Sequence, residues 1–318
     1  MNLKRFFALL FLSIIIILVW WVHPSFKKDP NPVLIEIPQG VSAREIAKIL
    51  EEKGVIRSPL FFLFLSRGTG KSLRLKPGPY LLERNRYWQS IRKLEAGRTA
   101  STKFTIPEGL TSYEIAQKLR REGLLQSATS FLELVKLNSA EGRLYPETYF
   151  FIKNSKPEEL FQRMIQMFNQ NFNSSYEARS KELNLTQSQI LILASIIEKE
   201  AEVDEERATI SSVYHNRLRK GMLLQADPTV QYALSHGKYW KGRLTYKDLK
   251  VNSPYNTYQH GGLPPGPICN PGKKSIEAAL FPAQTNFLYF VSTGNKTHYF
   301  FTNYKEHLQI QHKNRDSP

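Results

Sequence analysis

Two glutamates at the end of an apolar run are the residues of this sequence whose placement most suggests chemistry. Residues 190–202 read ILILASIIEKEAE, and a capping-box pattern at residues 186–189 predicts that a helix begins just before them. At roughly 100° per residue, the side chain of Glu200 falls between those of Leu193 and Ile196 on the apolar face. The second acid of the pair is therefore expected to project among aliphatic groups.

A carboxyl group in that position has an unusual acidity. Burial among aliphatic side chains disfavours the charged form, so the pKa of Glu200 is expected to rise. A carboxyl that keeps its proton near neutral pH is suited to general acid catalysis. Glu198 and Glu202 are expected to point towards the opposite, polar face. Glu200 is therefore the candidate catalytic acid/base, and the alternative is an exposed glutamate that merely ends the helix.

A short motif downstream offers polar groups of a different kind. Residues 224–230 read LQADPTV. Asp227 stands immediately before Pro228, which is the pattern of a helix N-cap followed by a proline in the first turn. We therefore expect Asp227 to cap a helix. Gln225 has no such local role, so it is a candidate for contact with a ligand.

A long loop rich in proline and glycine follows. Residues 253–272 contain no Asp or Glu, and their prolines and glycines fix the backbone without forming a helix or strand. Loops of this kind often form one wall of a binding site. Tyr255, Asn256 and Tyr258 offer ring faces, an amide and hydroxyls that sugars accept, so they are candidate substrate-binding residues. The alternative is a packed Ω-loop without a ligand.

An internal repeat precedes these motifs. Residues 37–56 and 106–125 both read as a strand, a Pro-x-Gly turn, a capped helix and a terminal glycine. Between the copies, residues 80–81 predict a strand and residues 87–96 predict a helix. Strand–helix units of this length resemble LysM-like glycan-binding modules. The repeat is either such a module or a scaffold that binds no ligand.

The N-terminal segment is strongly apolar. Residues 6–22 carry no charge, and their 17 positions would span about 26 Å as a helix, close to the thickness of a bilayer core. Trp20 and Trp21 occupy the place of an interfacial aromatic belt. No small-residue cleavage site follows, so we expect an uncleaved anchor, with residues 1–5 in the cytoplasm and residues 23–33 as a linker. A buried core helix is the alternative.

The net charge and the cysteine content narrow the classes of binding partner and cofactor that the sequence allows. The 318 residues carry a formal net charge of +16, which suits an anionic membrane surface, an anionic polymer or nucleic acid. The basic residues are spread along the chain and no nucleic-acid-binding signature is present, so nucleic acid is not expected as a partner. The single cysteine, Cys269, can form no intramolecular disulfide and lacks Cys or His neighbours at zinc-ligand spacing. We expect no metal and no cofactor.

Taken together, the motifs of the second half resemble those of one family, the YceG-like endolytic murein transglycosylases, also called MltG. The matching stretches are LASIIEKE at 193–200, NRL at 216–218, LQADPTV at 224–230, YNTY at 255–258, GLPPGPI at 262–268 and NPG at 270–272. The similarity extends from the apolar N-terminus to a β-hairpin predicted at residues 287–302, and the order and spacing of the motifs make it specific.

The resemblance implies a single-pass inner-membrane protein with its catalytic domain on the periplasmic side. It implies cleavage of MurNAc–GlcNAc bonds within nascent peptidoglycan glycan strands, which leaves 1,6-anhydro-MurNAc ends and terminates strand elongation beside the peptidoglycan synthases. The family's catalytic glutamate is the second of the Glu-x-Glu pair, which corresponds to Glu200. The helix end is also similar to that of goose-type lysozymes and soluble lytic transglycosylases. Ala201 stands where those enzymes usually place serine, so only the glutamate is carried over.

The expected architecture is α+β. It comprises an N-terminal transmembrane helix, LysM-like βα modules and a mainly helical catalytic domain with a C-terminal β-hairpin. The predicted bounds are 34–100 for the LysM-like domain, 101–180 for the second βα repeat with a helical connecting region, and 181–318 for the catalytic domain.

Two other functions compete with lytic transglycosylation. A non-catalytic, membrane-anchored peptidoglycan-binding protein would use only the repeat and the basic surface. A lysozyme-type glycoside hydrolase would need a second carboxylate near the acid. Because Asp227 is expected to be a cap, and Glu198 and Glu202 are expected to point away, no second carboxylate is predicted beside Glu200. We therefore expect transglycosylation, in which Glu200 alone acts first as the acid and then as the base.

Overall fold

The computed structural model describes residues 32–67, 75–97 and 99–316, with side chains described as far as residue 311. Helices predominate and the strands form two-stranded sheets, so the predicted α+β class is confirmed. No helix in these ranges is both long and apolar enough to cross a membrane. The predicted anchor at residues 6–22 and the tail before it lie outside the described residues.

The chain divides into two compact units, Met1–Thr102 and Lys103–Pro318. The elements of the first are β1 (Val33–Ile37), α1 (Ala43–Glu52), α2 (Pro59–Arg67), β2 (Gly78–Leu82) and α3 (Tyr87–Ala96). Strands β1 and β2 pair in antiparallel fashion, with Ile35 opposite Tyr80, and both of these side chains are buried. Apolar residues of all three helices join them in one hydrophobic core.

The chain then repeats this order of elements. They are β3 (Ser101–Thr105), α4 (Ser112–Arg121), α5 (Ala128–Leu137), β4 (Thr148–Ile152) and α6 (Pro157–Asn171), and β3 pairs with β4. The duplication is therefore longer than the sequence repeat indicated, because a second helix, a second strand and a third helix recur as well. The two copies share a strand–helix–helix–strand–helix plan.

Both copies begin their first helix as predicted. Ser42 and Glu45 form one capping box, and Thr111 and Glu114 form the other, each with both reciprocal hydrogen bonds. In the Pro-x-Gly turn of the second copy, Gly109 has a φ of 78°. Residues with a Cβ rarely adopt this left-handed conformation, so the turn requires glycine. These local signals explain why the repeat could be read from the sequence.

The remaining elements belong to the second unit. They are α7 (Ser174–Glu182), α8 (Gln187–Glu200), α9 (Arg207–Arg219), α10 (Asp227–Ser235), α11 (Lys273–Leu280), β5 (Tyr289–Ser292), β6 (His298–Phe301) and α12 (Tyr304–Asp316). Helix α8 begins with the predicted capping box of Thr186 and Gln189. Strands β5 and β6 form the predicted hairpin.

Helix α8 lies at the centre of the second unit. Every residue from 190 to 197 is buried, and the helix packs against α9, α10 and α11. This differs from the predicted helix with one polar face. The polar side is also covered, because the Ser195 hydroxyl accepts a hydrogen bond of 3.0 Å from the backbone amide of Ile268 in the Pro/Gly-rich loop. The loop and the helix are thus packed as one body.

Candidate functional site

An open cleft lies at the carboxyl end of α8. Its volume is about 440 Å³. The residues that line it are Lys199, Glu200, Asp227, Pro228, Gln231, Trp240, Gly242, Arg243 and Leu244. They come from the last turn of α8, the first turns of α10 and the segment that follows α10. A volume of this order is typical of ligand pockets, which usually measure about 300–1,000 Å³.

Glu200, the final residue of α8, projects into this cleft as a half-buried side chain. Burial raises the pKa of its carboxyl to about 7, and the negative charge of Asp227 acts in the same direction. The Tyr214 hydroxyl donates a 2.8 Å hydrogen bond to Glu200 Oε1, which favours the charged form and opposes the rise. A carboxyl in this state can both give and take a proton near neutral pH.

Tyr214 was not singled out as a site residue from the sequence, where it belongs to the apolar stripe of α9. Its ring is almost fully buried and its hydroxyl meets Glu200. Burial, followed by the charge of Glu200, raises the pKa of Tyr214 well above its usual value, so the phenol stays protonated and acts as a donor. Tyr214 therefore orients the carboxyl of Glu200.

Helical periodicity predicted that Glu198 would lie on an exposed polar face of α8. The structure places it elsewhere. Its side chain is only 7% exposed and lies 3.6 Å from the guanidinium of Arg207. Its Oε2 also accepts a 2.9 Å hydrogen bond from the backbone amide of Gly272. Glu198 is absent from the cleft lining and joins α8 to the end of the Pro/Gly-rich loop.

The structure corrects the prediction for Asp227. The N-cap of α10 is Ala226, and no side-chain capping bond is made at this helix end. The carboxylate of Asp227 instead accepts a 2.6 Å hydrogen bond from the Tyr258 hydroxyl. Because Asp227 lines the same cleft as Glu200, a second carboxylate is present there. The prediction that the cleft would hold one carboxylate alone is therefore wrong.

The three loop residues predicted to bind substrate differ in their placement. Tyr258 reaches the cleft through its bond to Asp227. Tyr255 is partly buried, with its ring centroid 4.8 Å from that of Tyr232 in the core. Asn256 is fully buried.

The side chain of Asn256 is occupied by the backbone of its own loop. Its amide nitrogen donates to the carbonyls of Leu249 and Val251, each at 2.9 Å, and its Oδ1 accepts from the Tyr258 amide at 3.0 Å. Both amide hydrogens are therefore used inside the protein. In this structure the side chain therefore holds the loop, and contact between Asn256 and the sugar remains a prediction.

Gln225 lies beside the cleft rather than in its lining. It is exposed and has a φ of 49°, a left-handed value. Its backbone amide donates to the Thr257 carbonyl at 3.1 Å, and its Oε1 lies 3.4 Å from Nη1 of Arg217. These contacts join the segment before α10 to the loop and to α9, and a role for Gln225 in binding remains a prediction.

Hydrogen bonds join the turn of the second repeat copy to the segments that form the site. The Gly109 amide donates to the Asn270 carbonyl, and the Asn270 amide donates to the Leu110 carbonyl, each at 2.9 Å. The buried hydroxyl of Thr111 donates to the Gly237 carbonyl at 2.8 Å, just before the cleft segment that begins at Trp240. The turn of the second copy therefore positions both the loop and the wall of the cleft.

Comparison with known proteins gives consistent matches. A relative from Bacillus subtilis, named endolytic murein transglycosylase, is 35% identical over 92% of this chain and 87% of its own length. A relative of the same name from Streptococcus pneumoniae is 29% identical over 89% of this chain, which spans 58% of the relative's length. A crystal structure of a yceG-like protein from Listeria monocytogenes, at 34% identity, has a TM-score of 0.58 and covers 89% of this chain and 99% of that one.

The family match extends over both units that the structure describes. It runs from residue 35 in β1 to residue 313 in α12, and so includes both repeat copies, the cleft and the hairpin. On this evidence the chain belongs to the YceG-like family.

Proposed function

We propose that this protein is an endolytic lytic transglycosylase of peptidoglycan, with Glu200 as its acid/base. The observation that carries the proposal is a half-buried carboxyl, with its pKa raised to about 7, at the head of an open cleft. The names of the relatives from Bacillus subtilis and Streptococcus pneumoniae support the same activity. A glycan strand is long, so a cleft that is open suits cleavage within it.

The proposed reaction exchanges one oxygen for another at C1 of MurNAc. Glu200 donates its proton to O4 of the departing GlcNAc as the C1–O4 bond breaks. The oxygen of the muramoyl C6 hydroxyl then bonds to C1, and its proton returns to Glu200. One residue thus acts as acid and then as base, and no water is consumed.

Asp227 adds an electrostatic contribution to this proposal. Positive charge develops at C1 in the transition state of glycoside cleavage. A negative charge fixed in the same cleft stabilises that positive charge, and the Tyr258 hydroxyl holds Asp227 in place. In a lysozyme-type hydrolase the same carboxylate would instead act as a nucleophile or activate water. The products distinguish these two roles.

We expect digestion of purified sacculi with residues 24–318 to release fragments that end in 1,6-anhydro-MurNAc. Each such end weighs about 18 Da less than a reducing end, because hydrolysis adds one water. Mass spectrometry of the products measures the difference, with the Glu200→Gln protein as the blank. Products that end mainly in reducing MurNAc would show that the reaction is hydrolysis and would overturn the transglycosylation mechanism. An absence of products would favour a protein that only binds the wall.

We further propose that residues 6–22 anchor the chain in the inner membrane, with both described units on the periplasmic side near the peptidoglycan synthases. The uncharged run and its two tryptophans support this placement. The first repeat copy is proposed to be the LysM-like module that holds the glycan strand. Its plan recurs in the second copy, which supports the cleft.

We expect the full chain to pellet with membranes and residues 24–318 to stay in the supernatant. Membranes must first be washed in high salt, because the net charge of +16 also attracts the protein to anionic lipids. If residues 24–318 still pelleted after the wash, the single-anchor proposal would be wrong.

A further inference from the structure

One wall of the cleft presents donors and positive charge without an acceptor. Lys199 Nζ lies 4.1 Å from the ring centroid of Trp240, a cation–π arrangement. Arg243, three residues beyond Trp240, is exposed at the same cleft. The indole Nε1 of Trp240 is buried and has no hydrogen-bond partner among the described residues. These three side chains are called the cationic wall below.

Neither charge of the cationic wall is neutralised within the part of the chain that the structure describes. No carboxylate there lies within ion-pair distance of Lys199 or Arg243. Neighbouring cations are engaged: Lys241 lies 2.6 Å from Asp248, and Arg217 donates to the Leu224 carbonyl at 2.7 Å. The cationic wall therefore differs from the basic residues beside it, because the charged groups of Lys199 and Arg243 have no carboxylate partner among the described residues.

We propose that the cationic wall is a subsite for the free carboxylates of the stem peptide that muramoyl residues carry. This inference rests on the proposed function. It predicts that the enzyme prefers glycan strands whose stem peptides keep their negatively charged carboxylates. The contacts would be charge-assisted hydrogen bonds from Lys199 and Arg243. Trp240 would hold the Lys199 ammonium beside the peptide through its cation–π contact.

The chemistry of the muramoyl residue selects the stem rather than another anion. Its ring can carry negative groups at two places, through the lactyl ether at O3 or as a phosphodiester at O6. The proposed reaction needs a free C6 hydroxyl, so an O6 phosphodiester would block it. The lactyl-linked stem leaves that hydroxyl free. Glu200, Lys199 and Arg243 line one cleft, so a muramoyl residue bound with C1 beside Glu200 would place its stem near Lys199 and Arg243.

The test compares two preparations of uncross-linked, stem-bearing strands whose amines have been acetylated. In one, the stem carboxylates are free; in the other, they are converted to methylamides. We expect wild-type kcat/KM to be about tenfold higher on the first preparation, mainly through KM. The Lys199→Gln/Arg243→Gln protein should lose this preference and cleave both preparations with similar kcat/KM.

Lys181→Gln is the matched control, since Lys181 is exposed on α7 and absent from the cleft lining. It should keep the wild-type preference. If the double variant does not fold, Arg243→Gln alone supplies the comparison, because that side chain is exposed. Equal cleavage of both preparations by the wild-type protein would overturn the subsite while leaving the proposed function intact. Undiminished cleavage by Glu200→Gln would instead overturn the proposed function.

Discussion

Replacing Glu200 with glutamine is expected to reduce glycan cleavage by at least roughly 10²–10⁴-fold, the usual contribution of a general acid/base. Glutamine keeps the shape of the side chain and can still accept the hydrogen bond that Tyr214 donates in the wild-type protein. It can neither give a proton to the leaving oxygen nor take one from the C6 hydroxyl. Release of soluble fragments from sacculi, measured at several pH values, checks the loss.

A matched control separates this effect from the mere removal of one carboxylate at the end of α8. Glu202 is exposed two residues further on and is absent from the cleft lining, so Glu202→Gln should leave the rate unchanged. Glu198 is a poor control because it pairs with Arg207 and holds Gly272.

The Glu200→Gln protein should also melt no earlier than the wild type at pH 8, because the folded state disfavours the charged carboxyl that it lacks. A rate within a few-fold of wild type would remove Glu200 from the mechanism.

The features that could be predicted from the sequence are those encoded by local signals. A capping box, a Pro-x-Gly turn and a terminal glycine act within a few residues, so both repeat copies and the start of α8 were identified correctly. Periodicity singled out Glu200 from the acids at this helix end, and its side chain lines the cleft at the last residue of α8. Even so, periodicity predicted a polar face for α8 where the structure has a buried one.

The other residues of the site are brought together by the fold of distant segments. Asp227 matches a local capping pattern, yet its carboxylate bonds to Tyr258, 31 residues away. Asn256 looks like a sugar ligand by residue type, but the unpaired carbonyls of its own loop occupy its amide. Trp240 carries no motif at all, and the fold places it in the cleft lining beside Lys199. Such pairings depend on tertiary structure, which short sequence patterns do not encode.

The second large effect is expected from Asp227→Asn, which keeps the shape of the side chain and removes its charge. We expect kcat to fall roughly 10–10³-fold, because the positive charge that develops at C1 loses its fixed partner, and losses of this order follow removal of one electrostatic stabiliser. The asparagine should still accept the hydrogen bond from Tyr258. Single-turnover cleavage of defined strands measures kcat apart from binding.

The pH profile gives this prediction a signature that a merely structural role would not produce. The charge of Asp227 helps to raise the pKa of Glu200 to about 7, so removing that charge lets Glu200 ionise more easily. Catalysis needs the protonated acid, and kcat/KM should therefore begin to fall at a lower pH in Asp227→Asn than in the wild-type protein. Tyr258→Phe is the matched comparison, since it keeps the charge and removes only the bond that holds it; its loss of rate should be smaller. If Asp227→Asn left both the rate and the alkaline limb unchanged, the charge of Asp227 would have no part in the reaction, and Glu200 would act without electrostatic support from that side of the cleft.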